Sequence, residues 1–170
     1  FPPEFLAISP TKFCNLRCTG CYAASLPSTQ ESLPFWVADR IVAQMKELWR
    51  AHFVTITGGE PFAWRDDGKG LLDLVERHPD QVFMTYTNGT LINEAVARRL
   101  AELGNLTPSI SVEGFEEETD RRRGRGTFAK VMQAMELLRK HGVVFGVSTV
   151  PTRENWEMLI SDRFADYYFD

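Results

Sequence analysis

Three cysteines stand at positions 14, 18 and 21 of this 170-residue chain, and it has no others. They lie in Phe13-Cys14-Asn15-Leu16-Arg17-Cys18-Thr19-Gly20-Cys21-Tyr22, a C-x3-C-x2-C spacing that lets one short loop aim three thiolates at one point. Three is an odd number, so a disulfide framework would leave one thiol unpaired. A reducing compartment with a metal or cluster accounts for them better. Iron–sulfur clusters are held by cysteine thiolates, usually four for a [4Fe–4S] cluster. With three protein ligands, one iron keeps an open position, much as a catalytic zinc keeps one for its reactant. A structural zinc site normally has four ligands, and here His52 would have to arrive from another element to complete it. Free cysteines are often simply buried. Their crowding within one loop, directly after a strand and with Gly20 relaxing the backbone, argues against that reading.

Four further segments carry polar or glycine-rich chemistry. Thr57-Gly58-Gly59-Glu60-Pro61 has two consecutive glycines, which let a backbone approach a ligand closely and turn its N–H groups toward it; a tight turn closed by Pro61 is the plainer alternative. Thr87-Asn88-Gly89-Thr90 contains an ordinary Asn-Gly turn signal. In Ser111-Val112-Glu113-Gly114, strand alternation puts Ser111 and Glu113 on the same side. Arg123, beyond Asp120, is suited to pairing with a carboxylate. Its neighbours Arg121 and Arg122 are equally well read as a solvated face balanced by Glu116, Glu117 and Glu118.

These clusters need a scaffold that brings them together. Strand candidates are Phe5–Ser9, Phe53–Thr57, Val82–Thr87, Thr107–Val112 and Val143–Val150, each rich in Val, Ile, Phe or Thr. Between them, Pro34–Arg50, Lys69–Arg77, Asn93–Leu103 and Thr127–Lys140 read as helices; Val37, Ile41, Met45 and Leu48 form an apolar stripe on the first. Asn93 and Thr127 suit N-caps, and Gly104 and Gly142 suit the left-handed position after a helix. The βα alternation implies an α/β fold with a parallel sheet, either open and doubly wound or a barrel. The polar clusters all follow strands, so function maps to one rim.

Composition is that of a soluble globular domain, 44% hydrophobic and 25% charged, and 170 residues suffice for one real core. A net charge of −4 argues against a duplex nucleic-acid binder. There is no run of about 18 apolar residues to span a membrane, and no signal peptide is visible; a cytoplasmic location is expected. Because the chain opens on Phe1 and stops in mid-pattern, it reads as part of a longer protein.

From about Ile8 to Asn155 the chain resembles the radical SAM superfamily, named for S-adenosylmethionine (SAM). Cys14-Asn15-Leu16-Arg17-Cys18-Thr19-Gly20-Cys21-Tyr22 is similar to that family's cluster loop. The resemblance implies that Cys14, Cys18 and Cys21 hold a [4Fe–4S] cluster whose fourth iron is chelated by SAM. One electron would then cleave SAM to methionine and a 5′-deoxyadenosyl radical that takes hydrogen from a substrate. It further implies that Tyr22 packs on the adenine, and that Gly58, Gly59, Glu60 and Pro61 match the GGEP segment facing the SAM amino group. By the same likeness, Thr87 and Asn88 line the pocket, and Ser111 and Glu113 match an S-x-D-G segment that meets the ribose or carboxylate, Glu113 standing for the commoner Asp. Arg123 falls in a D-x-x-R-G segment leading to G-T-F at Gly126-Thr127-Phe128.

The family fold is a partial (β/α)6 TIM-like barrel. Five strands are counted here, so residues 1–170 read as its core domain, incomplete at the C-terminus. The resemblance also implies a donor such as flavodoxin or ferredoxin, and a peptide, protein or small-molecule substrate, with a lean to the peptide class that goes with members carrying a C-terminal auxiliary-cluster (SPASM-type) domain. An iron–sulfur electron-transfer protein without SAM chemistry is the alternative; it gives the Gly58-Gly59 turn no purpose.

Overall fold

Apolar runs too short to be helices alternate along the chain with amphipathic ones, and each settles into its own element. The structure, a computed structural model, describes residues 3–169. Strand β1 (Phe5–Ile8) leads through the cysteine segment to helix α1 (Phe35–Trp49), then β2 (Phe53–Ile56). A two-stranded hairpin, β3 (Arg65–Asp66) and β4 (Lys69–Gly70), precedes α2 (Leu71–Arg77). The chain continues with β5 (Val82–Thr87), α3 (Glu94–Leu103), β6 (Leu106–Ser111), α4 (Glu116–Arg123), α5 (Thr127–Lys140), β7 (Gly146–Ser148), α6 (Trp156–Leu159) and α7 (Asp162–Phe169).

Five strands form one sheet in the order β1-β2-β5-β6-β7, every neighbouring pair parallel. Spatial order follows chain order without the reversal that marks a doubly wound sheet. Each crossover therefore turns the same way, as in a barrel wall. Helices α1, α2, α3 and α5 pack one against the next. They bury Ala38, Val42, Met45, Leu74, Val75, Ala97, Leu100, Val131, Met135 and Leu138 in one core with Val54, Ile56, Phe83 and Ile110 of the sheet. No helix among the described residues is long and apolar enough to cross a membrane.

Three sequence expectations change. The fifth strand is three residues long rather than Val143–Val150. The Phe83 N–H donates to the Asn105 carbonyl and the Val112 N–H to the Ser148 carbonyl, so even-numbered backbone groups of β6 face β7. Pro108 has no N–H to offer on that side, and the ladder begins at Ser109, paired with Gly146. Next, Thr127 is not the cap of α5. Gly126 holds that position, and Asp120 satisfies the free helix-start donors, its carboxylate accepting from the N–H groups of Gly126 (2.5 Å) and Phe128 (2.8 Å). The second helix starts at Leu71, because Lys69 and Gly70 belong to the hairpin. Asn93 does cap α3, its side chain accepting from the Val96 N–H at 3.0 Å, and Gly104 follows at φ 69°.

Candidate active site

Parallel strands wound in one direction end on the same rim, and all five here open on a single cavity of about 410 Å³. That lies within the roughly 300–1,000 Å³ range of small-molecule sites. Cys14, Cys18, Cys21 and Tyr22 reach it from the segment after β1; Thr57, Gly58 and Gly59 from β2; Tyr86, Thr87 and Asn88 from β5. Ser111 comes from β6, Ser148 and Val150 from β7 and beyond, and Arg122 and Arg123 from the end of α4.

The cysteine segment is tied at its base. Thr11 and Ser32 form an antiparallel bridge with their hydroxyls 2.7 Å apart, the Lys12 N–H donates to the Glu31 carbonyl, and the Leu33 N–H to that of Pro10. Within it, Asn15 and Asn88 interlock: Asn88 Nδ2 donates to Asn15 Oδ1 (2.9 Å), and Asn15 Nδ2 to Thr90 Oγ1 (2.8 Å), which itself donates to Asn88 Oδ1 (2.7 Å).

Gly58 and Gly59 serve this segment at least as much as the cavity. A side chain on Gly58, at φ 113°, would meet the Thr11 carbonyl, and one on Gly59 would collide with the Phe13 carbonyl. The N–H groups of Gly59 and Glu60 are already used, donating to Thr11 O (2.7 Å) and Phe13 O (2.8 Å). Glu60 is fully buried behind them. Its Oε1 accepts from Thr87 Oγ1 (2.7 Å) and the Phe62 N–H (3.0 Å), and its Oε2 from the Asn88 N–H (2.8 Å). Burial pushes this carboxyl up, while the three donors work against that shift.

Glu113 does not line the cysteine cavity; it is 2% exposed and lines a neighbouring one of about 540 Å³. Arg123 donates to its Oε1 from Nε (2.8 Å) and Nη2 (2.5 Å), and Arg122 Nη1 lies 2.7 Å from the same oxygen. Arg122 also donates from Nε to the Thr19 carbonyl at 3.1 Å and from Nη2 to that of Gly20 at 3.4 Å. All three cysteines are free thiols. Burial pushes Cys14 and Cys18 up; Arg123 and Arg122 pull Cys18 the other way.

Residues 8–163 match the family model described as the radical SAM superfamily. The chain belongs to that superfamily.

It is similar to mycofactocin maturase MftC of Mycobacterium ulcerans, 34% identical over 96% of this chain and 43% of the relative. It is also 31% identical to the cysteine-type anaerobic sulfatase-maturating enzyme of Clostridium perfringens, over 89% of this chain and 45% of that one. Among solved structures it resembles native anSMEcpe with bound AdoMet and Cp18Cys peptide, with a TM-score of 0.73, 27% identity, and coverage of 96% of this chain and 49% of that one. The chain thus spans about half the length of these relatives.

The cofactors of a radical SAM protein are a [4Fe–4S] cluster and SAM, and the residues present fit both. Among the described residues, no three His, Cys, Asp or Glu side chains are drawn together as a single ion requires; zinc needs its thiolates about 2.3 Å from one point. A cubane takes each thiolate on a different iron. It asks for three sulfurs facing one volume, as Cys14, Cys18 and Cys21 do. For SAM, the same cavity offers hydroxyls at Thr57, Ser111 and Ser148, guanidinium groups at Arg122 and Arg123, and a ring at Tyr22 that is 81% exposed.

Of the residues expected from sequence, the structure brings Cys14, Cys18, Cys21, Tyr22, Gly58, Gly59, Thr87, Asn88, Ser111 and Arg123 to this cavity. Glu60, Pro61 and Glu113 stand behind it. Six lining residues fell outside that set: Ser25, Thr57, Tyr86, Arg122, Ser148 and Val150. Ser148 and Val150 carried a usable signal, since they close the fifth strand run on the rim where the other clusters lie. For Ser25 and Arg122, nothing in the local pattern separates a lining residue from a surface one.

Proposed function

We propose that this chain is the catalytic core of a radical SAM enzyme that modifies a peptide or protein. The observation that carries the reading is the meeting of three loop cysteines with five parallel strand ends in one cavity. Together, cluster and SAM supply a 5′-deoxyadenosyl radical for hydrogen abstraction from the substrate; the chemistry is the cofactors', and the protein positions it. Cys14, Cys18 and Cys21 would hold the cluster at the rim. Ser111 would meet the ribose and Tyr22 the adenine, while Arg123, held by Glu113, would supply positive charge for the SAM carboxylate. Tyr86 and Val150 add apolar surface to the cavity lining. The sulfonium of SAM is hard to reduce, so the electron comes from a strong donor such as flavodoxin or ferredoxin.

The peptide class is supported by two maturases among the relatives and by the peptide named with the similar solved structure. Residues 1–170 form the core domain in this reading, and the activity belongs to the whole protein.

The test is anaerobic. Cluster-loaded, reduced protein is mixed with SAM, and 5′-deoxyadenosine is sought by mass spectrometry. It is expected from the parent and lost on Cys18→Ala. A reduced cluster that yields none would favour an electron-transfer protein.

A further inference from the structure

The turn between Cys18 and Cys21 is fastened by one residue from a distant helix. The Thr19 N–H donates to the Arg122 carbonyl at 2.9 Å, and Arg122 Nε donates back to the Thr19 carbonyl at 3.1 Å. Arg122 Nη2 extends the contact to the Gly20 carbonyl at 3.4 Å. Both backbone groups of Thr19 are thus satisfied by one residue.

Arg122 is itself held from behind. Its Nη1 lies 2.7 Å from Glu113 Oε1, and Glu113 is 2% exposed and clamped by Arg123. The group of one carboxylate and two guanidiniums carries a net charge of +1, and both arginines border the cavity that the three cysteines line. The Arg122 side chain is 20% exposed, so solvent screens its charge only in part. Arginine suits the task because its planar fork reaches two carbonyls and a carboxylate at once, which a lysine point charge cannot.

We propose that Arg122 is a positioning residue for the iron–sulfur cluster: it clamps the Cys18–Cys21 turn, and its charge raises the cluster's reduction potential. The inference rests on the radical SAM reading of the cysteine loop. Adding an electron makes a cluster more negative, so a nearby cation favours the reduced form. Net charge and hydrogen bonding are the terms that set such potentials. Neighbouring Arg121 carries the same charge but points elsewhere, pairing with Glu154 at 3.4 Å on the surface.

Three variants of the anaerobically reconstituted protein separate the two roles: Arg122→Gln, Arg122→Lys and, as a charge-matched control, Arg121→Gln. The cluster midpoint is read by a redox titration followed by electron paramagnetic resonance, without SAM. Arg122→Gln is expected to titrate at a more negative potential, with Arg122→Lys and Arg121→Gln close to the parent. Hydrogen exchange of residues 15–24 in metal-free protein reads the clamp, and should quicken several-fold in both Arg122 variants but not in Arg121→Gln. A Gln variant that titrates with the parent, or with a shift equal to that of Arg121→Gln, overturns the electrostatic role. Unchanged exchange overturns the clamp even where a variant fails to keep its cluster. A parent that binds no iron–sulfur cluster would instead sink the underlying reading.

Discussion

Asn88 directs its side-chain amide at the thiol of Cys14, with Nδ2 3.8 Å from Sγ. The same nitrogen donates to Asn15 Oδ1, so one side chain from the end of β5 grips the first cysteine and its neighbour together. A donor aimed at a ligand sulfur stabilises the extra negative charge of a reduced cluster. Asn88→Ala is expected to move the midpoint to a more negative potential and to hasten cluster loss in air. Both are measurable by redox titration and by the decay of visible absorbance; a variant matching the parent in both would refute the role.

Gly59 lies against the carbonyl of Phe13, the residue just before Cys14. Gly59→Ala therefore acts on the cysteine segment before it acts on any ligand. The expected result is a several-fold fall in iron and sulfide content with far-UV circular dichroism unchanged. Weakened SAM binding with full cluster content would show instead that Gly59 serves SAM alone.

Glu60 presents acceptors at both carboxylate oxygens to three donors in a dry site. Glu60→Gln keeps the shape but turns an amide NH2 toward one of those donors. An unsatisfied buried donor costs about 1–3 kcal/mol, and in a chain of this size each kcal/mol lowers Tm by about 2–4 °C. Thermal unfolding should show that drop in the variant despite the removal of a buried charge.

Asp120 is held below the usual carboxylate range by the N–H groups of Phe128 and Gly126, against the opposing effect of burial. A depressed carboxyl contributes stability that is complete above its unfolded value, near 3.9, and is lost as pH falls through the lower folded value. Asp120→Ala should cost about 1 kcal/mol at neutral pH, as for other lost helix caps. The gap between parent and variant should begin to narrow as pH falls below about 4 and vanish only below the folded value. A gap independent of pH would mean that the carboxylate is not the cap.

The alternation of strands and helices was legible because apolar residues recur at steps of two or of three to four, a pattern set by burial on one face. Helix α4 was not, since only Thr119 on it is buried and no apolar stripe exists. Its signal is electrostatic, with Glu116, Glu117 and Glu118 in the first turn and Arg121, Arg122 and Arg123 in the last, matching the helix dipole. The meeting of the three cysteines in one cavity was legible because their close spacing keeps them in a single loop. Glu113 was not, since alternation gives the side of a strand end but not whether an arginine from the next helix covers it. The contacts of Arg122 with Thr19 and Gly20 cross more than a hundred positions, beyond any local pattern.

The bridge between Thr11 and Ser32, with the bonds from Lys12 to Glu31 and from Leu33 to Pro10, joins protein to protein. The ring of chain that carries the three thiols is therefore shut by the polypeptide itself. This separates folding from maturation. A loop shut in this way needs no iron to close it, so the apoprotein is expected to fold before iron and sulfide enter. Loss of the cluster in air would, on the same logic, leave a folded apoprotein that can be recharged.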